Sequence, residues 1–258
     1  MLLSHRDSDI HTRGQSAAEA LDVHLAAQHT VEGRLVRILN AAPQPIAFST
    51  SLGLEDQAIL HAIAEAGPCK VDVFTLDTGR HFPETLETIE ESERRYGLRI
   101  RLISPNAAEV EDLVARDGAF GFRLSVDARK ACCGVRKVRP LRRALAGART
   151  WITGLRRGQF SGRSDVPFAE WSAEYGLVKV NPLADWSLAQ LDAYIAANDV
   201  PVNPLHARGF PSVGCQPCTR AIAPGEDIRA GRWWWEQADG KECGLHSNPR
   251  HPRKEAAA

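Results

Sequence analysis

Five of the six cysteines fall where thiol chemistry would want them. Cys132 and Cys133 are adjacent, and Cys215-Gln216-Pro217-Cys218 brings a second pair 82 residues after Cys133. Two pairs of thiols suit a metal centre better than disulfides, which require an oxidising compartment. A zinc site takes cysteine pairs separated by two to four residues. The Cβ vectors of adjacent cysteines diverge, so Cys132 and Cys133 chelate a single ion poorly. They reach two irons of one cubane more easily, and the spacing favours a [4Fe–4S] cluster over zinc. A redox Cys-x-x-Cys would open a helix after the first strand of a small thioredoxin fold, whereas this one lies in a late Pro/Gly-rich stretch. Cys243 stands apart in Glu242-Cys243-Gly244-Leu245-His246, with Lys241 and His246 near enough in sequence to stabilise a thiolate. Such a thiolate, just ahead of a polar tail, suits the nucleophile of a covalent mechanism; an incidental surface cysteine is the plainer alternative. Cys69 reads as a small buried hydrophobe.

Charge is distributed unevenly around these thiols. Residues 129 to 163 hold eleven basic side chains and no carboxylate, among them Arg129, Arg136, Lys137, Arg156 and Arg163. A solvated helix face would interleave signs. Guanidinium forks suit phosphate and sulfate oxygens, and the same charges offset cluster thiolates. A second feature is the turn Ser49-Thr50-Ser51-Leu52-Gly53-Leu54-Glu55-Asp56, a strand end running into a helix start. Backbone N–H groups there would face an anion, although neither a P-loop nor a dinucleotide glycine fingerprint is present. A serine-rich turn that merely caps a helix reads equally well.

These residues need elements to position them. The apolar pattern predicts a helix over 16–42, a strand over 45–49, a helix over 54–66 and a strand over 71–76 that ends in Asp77-Thr78-Gly79-Arg80. It continues with a helix over 83–96, a strand over 99–103, a helix over 107–116, a basic helix over 132–145 and a strand over 149–153. Beyond these come a helix over 187–197, a Pro/Gly-rich stretch over 201–217, a helix ending near Trp235 and a polar tail expected to be disordered. Alternating strands and helices imply βαβ units: an α/β fold, with a Rossmann-like parallel sheet and flanking helices. Ligands bind at the carboxyl ends of such strands, where the turns at 49–56, 77–80 and 154–163 lie. The chain divides into an N-terminal helical segment (1–44), an α/β domain holding the four-cysteine site (45–235) and a flexible C-terminal segment (236–258). Consecutive tryptophans Trp233 to Trp235 would point about 100° apart on a helix, so one or two are expected in the core, with no claim on adenine.

Composition narrows the function classes. The 258 residues are 43% hydrophobic and 25% charged, enough for a substantial core. Formal net charge is zero, which argues against a general nucleic-acid or membrane-surface binder. No stretch approaches the apolar length of a membrane helix. Residues 1–14 have no hydrophobic core of a secretory signal, so the cytoplasm is expected.

With these pieces assembled, the chain resembles the assimilatory adenylyl-sulfate (APS) reductases, the iron–sulfur, thioredoxin-dependent branch of the APS/PAPS reductase family. The resemblance runs from about Pro45 to His246. It rests on Ser51-Leu52-Gly53-Leu54-Glu55-Asp56, Leu76-Asp77-Thr78-Gly79-Arg80, Cys132-Cys133-Gly134-Val135-Arg136-Lys137, Gly214-Cys215-Gln216-Pro217-Cys218-Thr219-Arg220, Gly231-Arg232-Trp233-Trp234-Trp235-Glu236 and Glu242-Cys243-Gly244-Leu245-His246. Any one of these is modest; all six in family order are specific.

The resemblance implies an adenine-nucleotide alpha-hydrolase-like fold and a [4Fe–4S] cluster ligated by Cys132, Cys133, Cys215 and Cys218. It implies Cys243 as the catalytic nucleophile. Nucleotide contacts would come from Ser49, Ser51, Gly53, Glu55 and Asp56, and from Leu76, Asp77, Thr78, Gly79 and Arg80. Lys137, Arg163, Arg229, Arg232 and His246 match positions that surround the phosphosulfate. The implied partners are APS and reduced thioredoxin, with no nucleic acid and no membrane; homo-oligomerisation stays open. Three other readings remain at this point: a PAPS or dual-substrate reductase, an ATP-dependent sulfur transferase of the same fold, and a non-enzymatic zinc or redox-sensing protein.

Overall fold

The computed structural model describes residues 2–67, 70–159 and 164–236. Six strands form one sheet in the order β3-β2-β1-β4-β6-β5, with β1 at Ile46–Ser49, β2 at Val71–Thr75, β3 at Arg101–Leu102, β4 at Thr150–Ile152, β5 at Ala169–Ser172 and β6 at Leu177–Val180. All neighbours are parallel except β5 and β6, which form an antiparallel hairpin at one edge. The expected α/β class and Rossmann-like sheet are observed. β1 lies between β2 and β4, with Ile46 in register with both Val71 and Thr150. The chain runs outward from β1 through β2 to β3, then returns to the other side of β1. That reversal opens a crevice at the carboxyl ends of β1 and β4.

Strand alternation splits the core in two. Ile46, Phe48, Val71, Val73, Ile152, Val178 and Val180 pack into the larger cluster, with α1 (Leu2–Ala26), α2 (Val31–Ala41), α3 (Leu54–Ala66) and α8 (Leu188–Ala197). Ala47, Phe74, Trp151 and Leu177 face the smaller one, against Leu141, Ala144 and Leu145. The remaining helices are α4 (Pro83–Tyr96), α5 (Ala107–Asp117), α6 (Val126–Cys133) and α7 (Arg139–Ala144). Local signals explain their limits. Pro83 opens α4 and Gly97, at φ 61°, closes it. Asn106 caps α5, Ser125 caps α6, and a Ser187–Gln190 capping box starts α8.

Four expectations need correction. The single helix over 16–42 is two helices, because the Thr30 hydroxyl accepts from Gly33 N at 3.1 Å and starts α2 afresh. Buried Arg34 stitches the break, donating to the Leu25 and Gln28 carbonyls while pairing with Asp185 at 2.7 Å. The β5–β6 hairpin was not anticipated; Gly176, at φ 65°, turns it. The basic helix over 132–145 is interrupted by a π-helical turn at Gly134–Val138. Pro140, at the start of α7, has no N–H to donate to the preceding turn, and Arg139 N reaches back to Gly134 O. The helix expected to end near Trp235 is replaced by turns and a bridge between Thr219 and Arg232. Gly231 allows that bridge, since a Cβ there would meet the Arg220 carbonyl oxygen at 2.3 Å.

Among the described residues no helix is long and apolar enough to cross a membrane. Of the expected mobile C-terminal segment only Glu236 is described; the rest of it and Cys69 lie outside the described residues.

Candidate active site

A cavity of about 260 Å³ opens at the crevice between β1 and β4. Its rim comes from the ends of β1, β2 and β4, the first turn of α3, and two loops near residues 211–215 and 228–233. The turn after β1 is tightly organised. Asp56, in the first turn of α3, accepts from both the backbone N–H and the hydroxyl of Ser51 at 2.6 Å. Gly154, after β4, packs against that carboxylate so closely that a Cβ would lie 2.2 Å from Asp56 Oδ1. Glu55 pairs with Arg156 at 2.9 Å, with the Arg156 side chain almost fully buried. Ser49 accepts from the Trp151 indole N–H at 2.8 Å.

This arrangement changes the reading of the turn. The anion expected at its backbone N–H groups meets a site already furnished with carboxylates, since Ser51 N is bonded to Asp56 and Glu55 lines the cavity. Cationic side chains reach the cavity from elsewhere: Lys137 from the π-helical turn, and Arg229 and Arg232 from the last described loop.

The turn at 77–80 faces two ways. Leu76 and Thr78 line the cavity, while the Thr78 hydroxyl accepts from the Cys215 thiol at 3.3 Å and its carbonyl accepts from Arg136 at 2.7 Å. Asp77 closes an Asx turn onto Gly79 N at 2.9 Å. Gly79 takes φ 67°, and its α-carbon lies where a Cβ would touch the Arg136 guanidinium at 3.4 Å. Arg80 turns outward to the Ala119 carbonyl and stacks over Phe122 at 5.0 Å, and its own carbonyl accepts from Gln216 N at 2.8 Å. Asp77, Gly79 and Arg80, expected at the nucleotide, are not among the residues lining this cavity, and Arg80 braces the cysteine loop through Gln216.

The cysteine pairs converge beside this turn. Cys132 and Cys133 end α6, and Cys215 and Cys218 bracket a 3₁₀ turn; none of the four is in a disulfide. Cys132, Cys215 and Cys218 lie close enough to influence one another's ionisation. Burial pushes the Cys132 thiol up, against Arg136 and Arg80. Burial and the neighbouring Cys215 push Cys218 up to about 11. Cys215 is opposite in sign: burial raises it, but Lys137, the Thr78 hydrogen bond, Arg232 and Arg136 outweigh that and hold it below the ordinary thiol value. Among the described residues, no group of three or more His, Cys, Asp or Glu side chains meets the spacing for a single metal ion. The donor set itself, four thiols beside Lys137, Arg136 and Arg232, has the chemistry of an iron–sulfur site.

The basic run resolves into separate duties. Arg129 pairs with Glu236 at 2.5 Å, Arg139 with Glu109 at 3.1 Å and Arg142 with Glu174 at 2.9 Å. Its missing carboxylates come from distant segments. Of the expected contact residues, Ser49, Ser51, Gly53, Glu55, Asp56, Leu76, Thr78, Lys137, Arg229 and Arg232 line the cavity. Arg163, Cys243 and His246 lie outside the described residues.

Sequence reasoning missed Arg156, His206 and Trp233 as cavity-lining residues. Trp233 is buried at φ 45°, sandwiched between Arg129 at 4.4 Å and Arg232 at 4.8 Å. Trp234 is partly exposed and meets Trp235 edge-on at 4.9 Å. The triple tryptophan was the available signal, discounted because helical spacing was assumed for it.

Comparison with known proteins agrees with this architecture. The sequence profile of the phosphoadenosine phosphosulfate reductase domain matches residues 45–221. An adenosine 5'-phosphosulfate reductase of Sinorhizobium fredii is 51% identical over 90% of this chain and 91% of its own. One from Allochromatium vinosum is 53% identical over 82% of each chain. The crystal structure of a phosphoadenylyl-sulfate reductase from Candida auris superposes with a TM-score of 0.67 at 27% identity, covering 78% of this chain and 97% of that one. The chain thus belongs to the phosphoadenosine phosphosulfate reductase family and, within it, to the adenosine 5'-phosphosulfate reductases, oxidoreductases of sulfate assimilation.

Proposed function

We propose that the protein reduces APS to sulfite and AMP with two electrons from reduced thioredoxin, through an S-sulfocysteine on Cys243. The observation that carries this reading is one cavity wall where Lys137, Arg229 and Arg232 stand beside Cys215. An anionic phosphosulfate fits that wall, and the nucleoside fits the polar turn of Ser49, Ser51 and Asp56. The Cys243 thiolate attacks the sulfur of APS, forming an S–S bond to the sulfonate and breaking the S–O bond to AMP, which leaves as a phosphate. Lys137, Arg229 and Arg232 offset charge building on the departing phosphate. One thioredoxin thiolate then attacks the Cys243 sulfur and expels sulfite. Its second thiol resolves the mixed disulfide, so thioredoxin is oxidised and Cys243 returns as a thiol. A reducing compartment, the cytoplasm, suits both the free thiols and this donor.

Cys132, Cys133, Cys215 and Cys218 would hold a [4Fe–4S] cluster. When bound it supplies a fixed charge and a structural clamp beside the cavity, while the electrons come from thioredoxin. Thr78, bonded to Cys215, lines the cavity together with Cys215, Lys137 and Arg232, so the two sites share these side chains.

Single-turnover mass spectrometry of the anaerobic, iron-loaded protein with APS and no thioredoxin tests the proposal. The expected result is a gain of about 80 Da for SO₃ on Cys243, removed by reduced thioredoxin. No adduct from intact protein would overturn the covalent route. An adduct with PAPS alone would keep the chemistry and change the substrate.

A further inference from the structure

The Pro/Gly-rich stretch after α8 carries His206 to the cavity wall. Its Nδ1 lies 2.9 Å from the Phe210 carbonyl oxygen. A carbonyl can only accept, so Nδ1 holds the proton of the neutral ring and Nε2 presents a lone pair. That Nε2 is buried and, among the described residues, has no hydrogen-bond partner. Burial lowers the imidazole pKa, against the raising influences of the Phe210 carbonyl, Glu55 and Asp192, which keeps the ring neutral at pH 7. A buried acceptor on a cavity wall, with nothing to accept from, calls for a donor on whatever fills the cavity.

We propose that His206 Nε2 accepts a hydrogen bond from the nucleoside half of the substrate and is a specificity-determining residue for it. The inference rests on the reading of this cavity as the nucleotide site. Chemistry selects the half. At neutral pH a phosphosulfate has only acceptor oxygens and cannot satisfy Nε2. The adenosine moiety offers three donor groups: the 6-amino group and the ribose 2'- and 3'-hydroxyls. The carboxylates of Glu55 and Asp192 are the charges that act on this ring, and they favour a neutral donor over an anion beside it. His206 therefore fixes which end of the substrate enters this part of the cavity. If its partner is the 3'-hydroxyl, it also reads the position at which APS and PAPS differ, because a 3'-phosphate there has no proton to donate at neutral pH.

AMP affinity, measured by calorimetry on the full-length iron-loaded protein, tests this without turnover. His206→Leu should weaken AMP at least about fivefold, and His206→Gln, whose amide oxygen can stand near the Nε2 position, should recover most of that loss. Wild-type protein should also bind one of three analogues more weakly than AMP: 2'-deoxy-AMP, 3'-deoxy-AMP or purine riboside monophosphate. That analogue should be indifferent to His206→Leu. A Leu variant that binds AMP like wild type overturns the inference and leaves the nucleotide reading standing. Should the Leu variant not fold, the analogue series on wild type decides alone, and three analogues all equal to AMP overturn the inference. Wild-type protein that turns over APS but does not bind AMP removes the nucleotide reading, and the inference with it.

Discussion

The cavity rim and the cysteine site adjoin at Thr78 but are built by different means. The strand side of the rim grows from segments that directly follow β1, β2 and β4, and its key contact, Ser51 to Asp56, spans five residues. The cysteine site joins segments far apart in the chain, through Arg136 to the Thr78 carbonyl, Gln216 to the Arg80 carbonyl, and Arg129 to Glu236. The rim is organised by turn chemistry, whereas the thiol site is organised by tertiary contacts that cross the molecule. Cys215, Lys137 and Arg232 belong to both, so damage to the thiol site should reach the strand side of the rim only in part.

The largest expected effect touches neither region. Cys243→Ser should abolish sulfite release while AMP affinity and the iron absorbance stay at wild-type levels; retained turnover removes Cys243 as nucleophile. Cys218→Ser should lose iron and activity together, yet weaken AMP only in part, because Ser51, Asp56 and the rest of the strand side of the rim stay in place. A loss of AMP binding as complete as the loss of iron would make the two regions one unit. Glu236→Ala removes the carboxylate that pairs with the buried Arg129 guanidinium and should cost about 3–5 kcal/mol in denaturant unfolding. Gly154→Ala drives a methyl group into Asp56 and should cost about 1–3 kcal/mol, weaken AMP, and leave iron content unchanged. The smallest effect is on acid stability. Burial holds His81 and His206 below the ordinary imidazole value of 6.5. The unfolded chain then takes up protons first as pH falls, so these groups cost nothing above pH 6.5 and destabilise the fold progressively below it. His206→Gln removes one such group, and its Tm deficit relative to wild type should narrow between about pH 7.5 and pH 5.5.

Much of this was legible in the residue pattern, for reasons that differ by region. β1, β2 and β4 are short apolar runs bounded by small polar turns, so their positions and the turns after them could be read directly. The cysteine pairs carry their meaning in their spacing. The break at Thr30 was hidden because apolar residues continue on a helical period across it. The β5–β6 hairpin escaped because four-residue strands with one Gly turn give too little alternation to register. His206 could not be read at all: its loop has no period, and what matters is an acceptor nitrogen left unpaired by the turn to Phe210. The duties of the arginines were equally hidden, since Glu236, Glu109 and Glu174 lie far from them in the chain.

The pairing of Arg129 with Glu236 has a kinetic consequence. It fixes the root of the last segment against the helix that ends in Cys132 and Cys133. Only seven peptide units separate Glu236 from Cys243, so the Cys243 α-carbon lies within about 25 Å of that root whatever path the chain takes. On the proposed mechanism, a Cys243 thiolate confined to such a volume would have an effective concentration in the millimolar range toward a substrate bound in the adjoining cavity. Its encounter with the sulfur of APS would then be first order, and external thiols at lower concentration would compete with it poorly.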